Sequence, residues 1–130
     1  MERASVGADG LTAGAAQPIF HIAHRDRWSS AAPAGLYEAD SLATEGFIHC
    51  SERHQILAVA NRLFVGQRDL VLVRLDPTRL TAELRYEPGG GDVFPHIYGP
   101  INADAVVQVI DFTARSGGTF ELPPELRTID

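Results

Sequence analysis

The chain alternates short apolar runs with polar, glycine-rich or proline-containing breaks, a pattern that predicts short strands and few helices. The first strand is predicted over Ile19–Ala23, which follows a proline suited to a strand start. A second is predicted over Phe47–Cys50, and a central strand over Leu70–Leu75, which is apolar on both faces apart from Arg74. Further strands are predicted over residues 82–86, 94–98 and 105–112, the second of them interrupted by a proline.

Helical spacing is clearest over residues 56–64, where apolar side chains recur every three or four positions. Ser51 is predicted to cap the N-terminus of this helix. A shorter helix is predicted over Arg27–Ala31 with Asp26 as its cap, and a helical turn ends at Gly46. Because short turns join the strands, they should pair mainly antiparallel, and the elements together predict an α+β fold.

The chain of 130 residues, 45% of them hydrophobic, fits a single domain. Residues 1–17 are rich in Gly and Ala without apolar periodicity, so we predict a flexible tail there and one domain over 18–130. No apolar run approaches the roughly 20 residues of a membrane-spanning helix, and the N-terminus lacks a secretory signal pattern. A lone cysteine, Cys50, forms no internal disulfide. These features predict a cytoplasmic protein without a membrane segment.

The charge of the chain narrows the class of partner. All 11 basic residues are arginines, and the net charge is -6. Duplex nucleic acid is disfavoured, because nonspecific affinity for it comes from many basic groups that neutralise phosphates. Gly89–Gly91 is predicted to be a mobile loop or lid, since it lacks the spacing of a phosphate-binding motif. A small-molecule ligand or a protein partner is therefore expected.

Three of the predicted strands carry a histidine near their centre, and these are His21, His49 and His96. Because side chains alternate along a strand, Phe47 and Ser51 share the face of His49, whereas Cys50 lies on the other face and is interpreted as core. A single such histidine is most often a hydrogen-bonded structural residue. Three on neighbouring strands favour a cleft that binds polar oxygens or moves a proton.

Other side chains near these strands widen the set of alternatives. Arg25 follows the first strand, and its forked guanidinium suits a phosphate or carboxylate. Glu45 and Glu87 are the nearest carboxylates, and either can act as a general base if desolvation raises its pKa. A zinc site built from the three histidines is chemically allowed, but no His-Glu-x-x-His or paired-cysteine spacing supports it, so we assign no metal ligand.

Several segments in combination resemble the DUF952 family of small uncharacterised bacterial proteins. The segments are Ile19-Phe20-His21-Ile22, Gly35-Leu36-Tyr37, Ser41-Leu42, Glu45-Gly46-Phe47-Ile48-His49-Cys50-Ser51 and Phe94-Pro95-His96-Ile97-Tyr98-Gly99-Pro100. The resemblance spans about residues 18–112. The usual family strand reads Gly-Phe-Ile-His-Leu-Ser, so Cys50 replaces a leucine, which favours its interpretation as an apolar residue.

The family is similar in layout to the ADP-ribosyltransferase fold, including its tRNA 2'-phosphotransferase branch, and this implies a split sheet with one main helix around an NAD cleft. By that resemblance His21 contacts a ribose, Ser51 orients site groups and His49 lines the floor. A glutamate commonly completes such sites, and Glu87 and His96 are the candidates for its place. The Arg-His-Arg-Arg set of the phosphotransferases is not recoverable in order, so that reaction is not assigned.

The residues and the resemblance together imply two main functions, with a histidine metal site as a less favoured third. The first is an NAD-binding or nucleotide-binding, ADP-ribosyltransferase-like enzyme with His49, His96 and Glu87 as catalytic residues. Its ligand-binding residues are His21, Arg25, Phe47, Ser51 and Tyr98. The second is a noncatalytic module that binds a small ligand and keeps the cleft without the acid.

Overall fold

The computed structural model describes residues 17–127. In chain order its elements are β1 (Ile19–His24), α1 (Arg25–Ala31), β2 (Leu36–Tyr37), α2 (Asp40–Glu45), β3 (Ile48–His49), α3 (Ile56–Leu63), β4 (Leu70–Leu75), β5 (Glu83–Gly89), β6 (Asp92–Tyr98), β7 (Ile101–Asn102), β8 (Val106–Phe112) and α4 (Pro124–Arg127). Short 3-10 turns lie at 32–34, 53–55, 77–79 and 103–105.

The strands form small antiparallel sheets in the order β1-β4-β8, β2-β7 and β3-β6-β5. The α+β class with antiparallel strands and few helices is therefore confirmed. Every predicted strand is present, the central one with the predicted bounds Leu70–Leu75 and the others with bounds shifted by one to three residues. The two-residue strands β2 and β7 are additions that no periodicity in so short a segment can indicate.

The central strand β4 packs apolar side chains on both faces, as its sequence predicts. On one face Val73 belongs to a cluster that also contains Ile48 and Ile97, so the β1-β4-β8 sheet is joined to the β3-β6-β5 sheet. On the other face Leu72 belongs to a cluster with Ile56 of α3. Each of these side chains is fully buried, which contributes about 1.5–3 kcal/mol per residue.

A backbone bridge fixes β1 beside the segment that follows β3. The amide of Phe20 donates to the carbonyl of Ser51 at 2.8 Å, and the amide of Ser51 donates back to Phe20 at 2.8 Å. This bridge brings the histidine of β1 close to the histidine of β3. Ser51 lies one residue before Glu52, the N-cap of the turn that leads into α3.

The predicted helix starts are wrong at two positions. Glu52, not Ser51, caps the turn before α3, and it forms a capping box in which its amide donates to Gln55 Oε1 at 2.9 Å. Helix α1 begins at Arg25, so Asp26 lies inside its first turn and does not precede it. The prediction of a helical turn closed by Gly46 is confirmed, with a left-handed φ of 92°.

The predicted loop at Gly89–Gly91 is instead the tip of the β5–β6 hairpin. Gly90 and Gly91 have φ values of 59° and 89°, and Gly89 pairs with Asp92 across the turn. Two adjacent glycines meet the demand of a type I′ turn for positive φ at both central positions. Strand β6 also continues through Pro95, whose carbonyl accepts from the Cys50 amide at 3.0 Å.

Apart from Gln17, the predicted tail lies outside the described residues. Among residues 17–127, no helix has the length and apolar character required to cross a membrane.

Candidate functional site

A cavity of about 550 Å³ opens between β1, β3, α3 and the β5–β6 hairpin. This volume falls in the range of small-molecule sites, roughly 300–1,000 Å³. Five of the residues singled out in the sequence line it, and they are His21, Phe47, His49, Ser51 and His96. The alternation of side chains along β1, β3 and β6 therefore brings the three histidines to one space.

His21 uses both ring nitrogens within the protein. Its Nδ1 lies 2.7 Å from the carbonyl oxygen of His49, and because a carbonyl only accepts, Nδ1 carries the proton. Nε2 is then the acceptor, and it receives the hydroxyl of Tyr37 at 3.2 Å. Burial lowers the pKa of His21 to about 4, outweighing the opposing effect of the bond to His49. His21 is thus a neutral imidazole of fixed tautomer.

His96 has one nitrogen held and the other unengaged. Its Nδ1 donates to Glu87 Oε1 at 2.7 Å, and Tyr98 donates its hydroxyl to the same oxygen at 2.6 Å. These two donors, Tyr98 first, hold the pKa of Glu87 below its ordinary value. Within residues 17–127, Nε2 of His96 has no hydrogen-bond partner. A carboxylate-backed imidazole with a free Nε2 is the arrangement of a general base.

The hairpin register explains how these three side chains meet. Glu87 lies opposite Phe94, and His96 and Tyr98 follow Phe94 at alternate positions on β6. Alternate residues share a face, so all four point to the same side of the hairpin. Glu87 and Tyr98 do not themselves line the cavity, and they reach it through His96.

Two aromatic side chains, Phe47 and His49, pack against the ring of His96. Phe47 stacks on His96 with ring centroids 4.0 Å apart and an interplanar angle of 17°. His49 pairs with His96 across β3 and β6, and their ring centroids lie 5.4 Å apart. His49 Nε2 donates to Glu45 at 3.2 Å, and its side chain is 55% exposed. The cavity therefore has a buried imidazole inside and an exposed one at its mouth.

Arg25 does not reach the cavity. Its guanidinium donates to Asp69 at 2.8 Å and to Asp111 at 2.7 Å. Arg25 is not among the residues that line the cavity, and its role in ligand binding stays a prediction.

Tyr37 and Arg62 are two of the lining residues that the sequence did not predict. Tyr37 is the partner of His21, but a two-residue strand gives no periodicity that marks it. Arg62 lies on the last turn of α3, where a charged residue is typical of a solvated face. Gly35-Leu36-Tyr37 belonged to the resemblance, and that was the one available signal for Tyr37.

Metal binding finds no arrangement to support it within the described part of the chain. No group of three His, Cys, Asp or Glu side chains there is placed to hold a metal ion. For His21 the reason is specific, because its lone pair and its proton are both used by Tyr37 and His49. Cys50 is buried in the core cluster of Ile48, and burial raises the pKa of its thiol, which favours the inert thiol form.

Comparison with known proteins gives a family and a fold. The chain is 31% identical to protein CC0527 of Caulobacter crescentus in its X-ray structure, which matches with a TM-score of 0.75 over 81% of this chain and 94% of that one. The solution NMR structure of CC0527 matches with 31% identity and a TM-score of 0.73, over 85% and 97% of the two chains. None of these names states an activity, and among curated proteins no match was found.

The family model that matches is DUF952, described as a protein of unknown function, and it covers residues 22–109. That segment includes the second half of β1, the cavity residues His24, His49 and His96 but not His21, and the first four residues of β8. The chain belongs to the DUF952 family.

Proposed function

We propose that the cavity binds a nucleotide-like small molecule, with NAD as the first candidate, and that His96 acts on it as a general base. The observation that supports this most is the His96–Glu87 pair. It fixes Nδ1 as the donor at 2.7 Å and leaves Nε2 as the acceptor on a residue of the cavity wall. An imidazole that a carboxylate orients through one nitrogen can take a proton from a bound nucleophile at the other nitrogen.

The walls suit the parts of such a ligand. The Phe47–His96 stack offers aromatic faces to a base or nicotinamide ring, for which offset stacking is favourable. Ser51 is buried, lines the cavity, and its hydroxyl has no hydrogen-bond partner within residues 17–127. That hydroxyl is free to bond a ribose oxygen. His21 is hydrogen-bonded to Tyr37 and to the backbone of β3, so it positions the wall of the cavity and does not act on the ligand.

The reaction that fits is cleavage of the bond between nicotinamide and ribose. The bond breaks with its electron pair leaving on nicotinamide, and positive charge develops on the ribose. Water, or an acceptor hydroxyl, forms the new bond to that carbon and gives its proton to His96 Nε2. The ionised Glu87 behind His96 stabilises the imidazolium that results. His49 at the mouth, 5.4 Å from His96 between ring centroids, contacts the same ligand.

Incubation with NAD tests this function in two steps. NAD at 100 times its dissociation constant should raise the free energy of unfolding by about 2.7 kcal/mol, read as a thermal shift. Free nicotinamide, measured by chromatography, should then accumulate with the wild-type protein. His96→Gln should reduce the thermal shift, because one ring of the stack is lost, but Phe47 and Ser51 remain and binding should persist; at saturating NAD the variant should release no nicotinamide, because the amide cannot act as the base.

The matched control is His54→Gln. His54 is 65% exposed, pairs with Glu52 and Asp92, and does not line the cavity, so this variant should behave as the wild type. Absence of a thermal shift with NAD, ADP-ribose and nucleotides alike would reject the proposed ligand class.

A noncatalytic ligand-binding module is the second candidate, and one observation favours it. Glu87 does not line the cavity, and both donors to its carboxylate oxygen are protein groups. Among the described lining residues only Asp40 carries a carboxylate, and Arg27 pairs with it, so no unpaired carboxylate lines the cavity. Stabilisation by NAD without nicotinamide release would select this candidate over the enzyme.

A further inference from the structure

The cavity lining carries an excess positive charge although the whole protein is negatively charged. The net charge of the chain is -6, yet the charged lining residues other than histidines are Arg27, Asp40 and Arg62. Arg27 donates to Asp40 at 2.8 Å, so these two cancel. The guanidinium of Arg62 remains as an uncompensated positive charge on the wall.

Arg62 differs in this from most other arginines. Within residues 17–127 it makes no ion pair and no hydrogen bond. The described arginines that do pair with a carboxylate are Arg25, Arg27, Arg79, Arg85, Arg115 and Arg127. An unengaged planar guanidinium offers two parallel donors that match a phosphate in geometry and charge.

The tip of the hairpin lies next to Arg62, and we call Arg62 together with Gly89 and Gly90 the Arg62 corner. A Cβ atom added at Gly90 would lie 3.3 Å from Nη1 of Arg62, so the backbone of the turn approaches the guanidinium closely. Gly89 and Gly90 themselves line the cavity. Glu87 precedes Gly90 by three residues on the hairpin, which is about 10 Å at the rise of a strand. The Arg62 corner is therefore separated from Glu87 by about 10 Å along the hairpin.

We propose that the Arg62 corner binds a phosphate or pyrophosphate group of the ligand, whose ring end lies against Phe47 and His96. The ligand is then a phosphorylated nucleoside, and a free base or nucleoside occupies only the part of the cavity beside Phe47 and His96. The assignment of a base or nicotinamide ring to that part rests on the proposed function. The anion contact rests on Arg62 and the hairpin tip alone.

Two matched substitutions test the anion contact, namely Arg62→Gln and Arg68→Gln. Arg68 is exposed, lies outside the cavity wall, and has no partner within residues 17–127. Titration calorimetry with AMP and adenosine compares the phosphorylated and unphosphorylated forms of one ligand. Arg62→Gln should weaken AMP binding about tenfold or more and leave adenosine binding unchanged, as loss of a hydrogen bond to a charged group predicts. Arg68→Gln should change neither affinity.

Equal losses of AMP and adenosine affinity in Arg62→Gln would overturn the phosphate contact, as would an unchanged AMP affinity. An unchanged AMP affinity contradicts the phosphate contact but not the binding of a nucleotide. A thermal-shift measurement with inorganic pyrophosphate tests the opposite case, in which the Arg62 corner binds an anion but the cavity binds no nucleotide. Stabilisation of the wild type that is absent in Arg62→Gln, with no effect of AMP or NAD, would support the anion corner and reject the nucleotide function. No response to pyrophosphate, AMP or NAD would reject both.

Discussion

The two histidine-bearing walls of the cavity, β1 with Tyr37 and the β5–β6 hairpin, differ in what holds each imidazole. On the β1 wall, a carbonyl and a hydroxyl engage both nitrogens of His21, and burial keeps the ring neutral. On the hairpin wall, the carboxylate of Glu87 engages one nitrogen of His96 and leaves the other unengaged. Both residues are buried histidines at the centre of a strand.

The difference shows that burial of a histidine does not by itself indicate chemistry. The partner decides, because a carbonyl and a hydroxyl consume the hydrogen-bonding capacity of the ring, whereas one carboxylate orients it and leaves a lone pair. The β1 wall is therefore expected to govern stability, and the hairpin wall to govern ligand chemistry. Substitutions on each wall test whether stability and ligand chemistry separate in this way.

The pH dependence of stability should carry the signature of His21. Its folded-state pKa of about 4 lies below the ordinary 6.5, so between these values the unfolded chain binds more protons than the folded one. Stability should fall as the pH drops through 6.5 and should lose about 3 kcal/mol from this residue by pH 4. Urea unfolding of the wild type and of His21→Asn at pH 7 and pH 4 measures it, since the variant lacks this contribution. Parallel pH profiles for both proteins would contradict the buried neutral histidine.

Removal of the His21 ring at pH 7 should have the next largest effect. His21→Ala leaves the carbonyl of His49 without its donor and the hydroxyl of Tyr37 without its acceptor, which should cost about 2 kcal/mol of unfolding free energy. His54→Ala is the exposed control, and it should stay within about 0.5 kcal/mol of the wild type. Equal losses in the two variants would remove the structural role assigned to the β1 wall.

The regular elements were accessible from the sequence because their signals are local. The double-faced apolar run of β4 and the alternation around His49 and His96 follow from strand geometry alone. The arrival of His21 at the same cavity was predicted from the same alternation. Its hydrogen-bond partners were not, because Tyr37 comes from a short strand whose position depends on tertiary pairing with β7.

Two further outcomes depend on neighbouring residues. Ser51 has the chemistry of a helix cap, but Glu52 occupies the N-cap position one residue later. Arg25 has the chemistry of a phosphate ligand, but it pairs with Asp69 and Asp111, and its role in ligand binding stays a prediction. A sequence shows what each residue can do, whereas the fold decides which partner is nearest.

On the hairpin wall, substitution of Tyr98 should change the pKa of Glu87. The hydroxyl of Tyr98 is the largest cause of the lowered pKa of Glu87, ahead of His96. Tyr98→Phe removes this donor and should therefore raise the pKa of Glu87 toward its ordinary value. Carbon-13 NMR titration of the glutamate carboxyl groups measures the shift. An unchanged pKa of Glu87 in Tyr98→Phe would contradict the hydrogen bond.

The smallest effect is expected from Arg25→Gln. The pair with Asp69 and Asp111 is solvent-exposed, and such pairs contribute little to stability. Affinity for NAD, measured by calorimetry, should stay unchanged because Arg25 does not line the cavity. A drop in affinity would return Arg25 to the ligand site and weaken the division between the two walls.

The position of Cys50 makes the protein its own sensor of breathing motions. This thiol is the chain's sole cysteine, it lines the cavity, and it is 4% exposed. Because the buried thiol is held protonated, a thiol reagent reacts with it only when the cavity wall opens. The ratio of its labelling rate in the unfolded chain to that in the native protein then gives the free energy of opening. Any ligand of the cavity that closes the wall will slow the same reaction, so one unmodified residue reports both motion and occupancy.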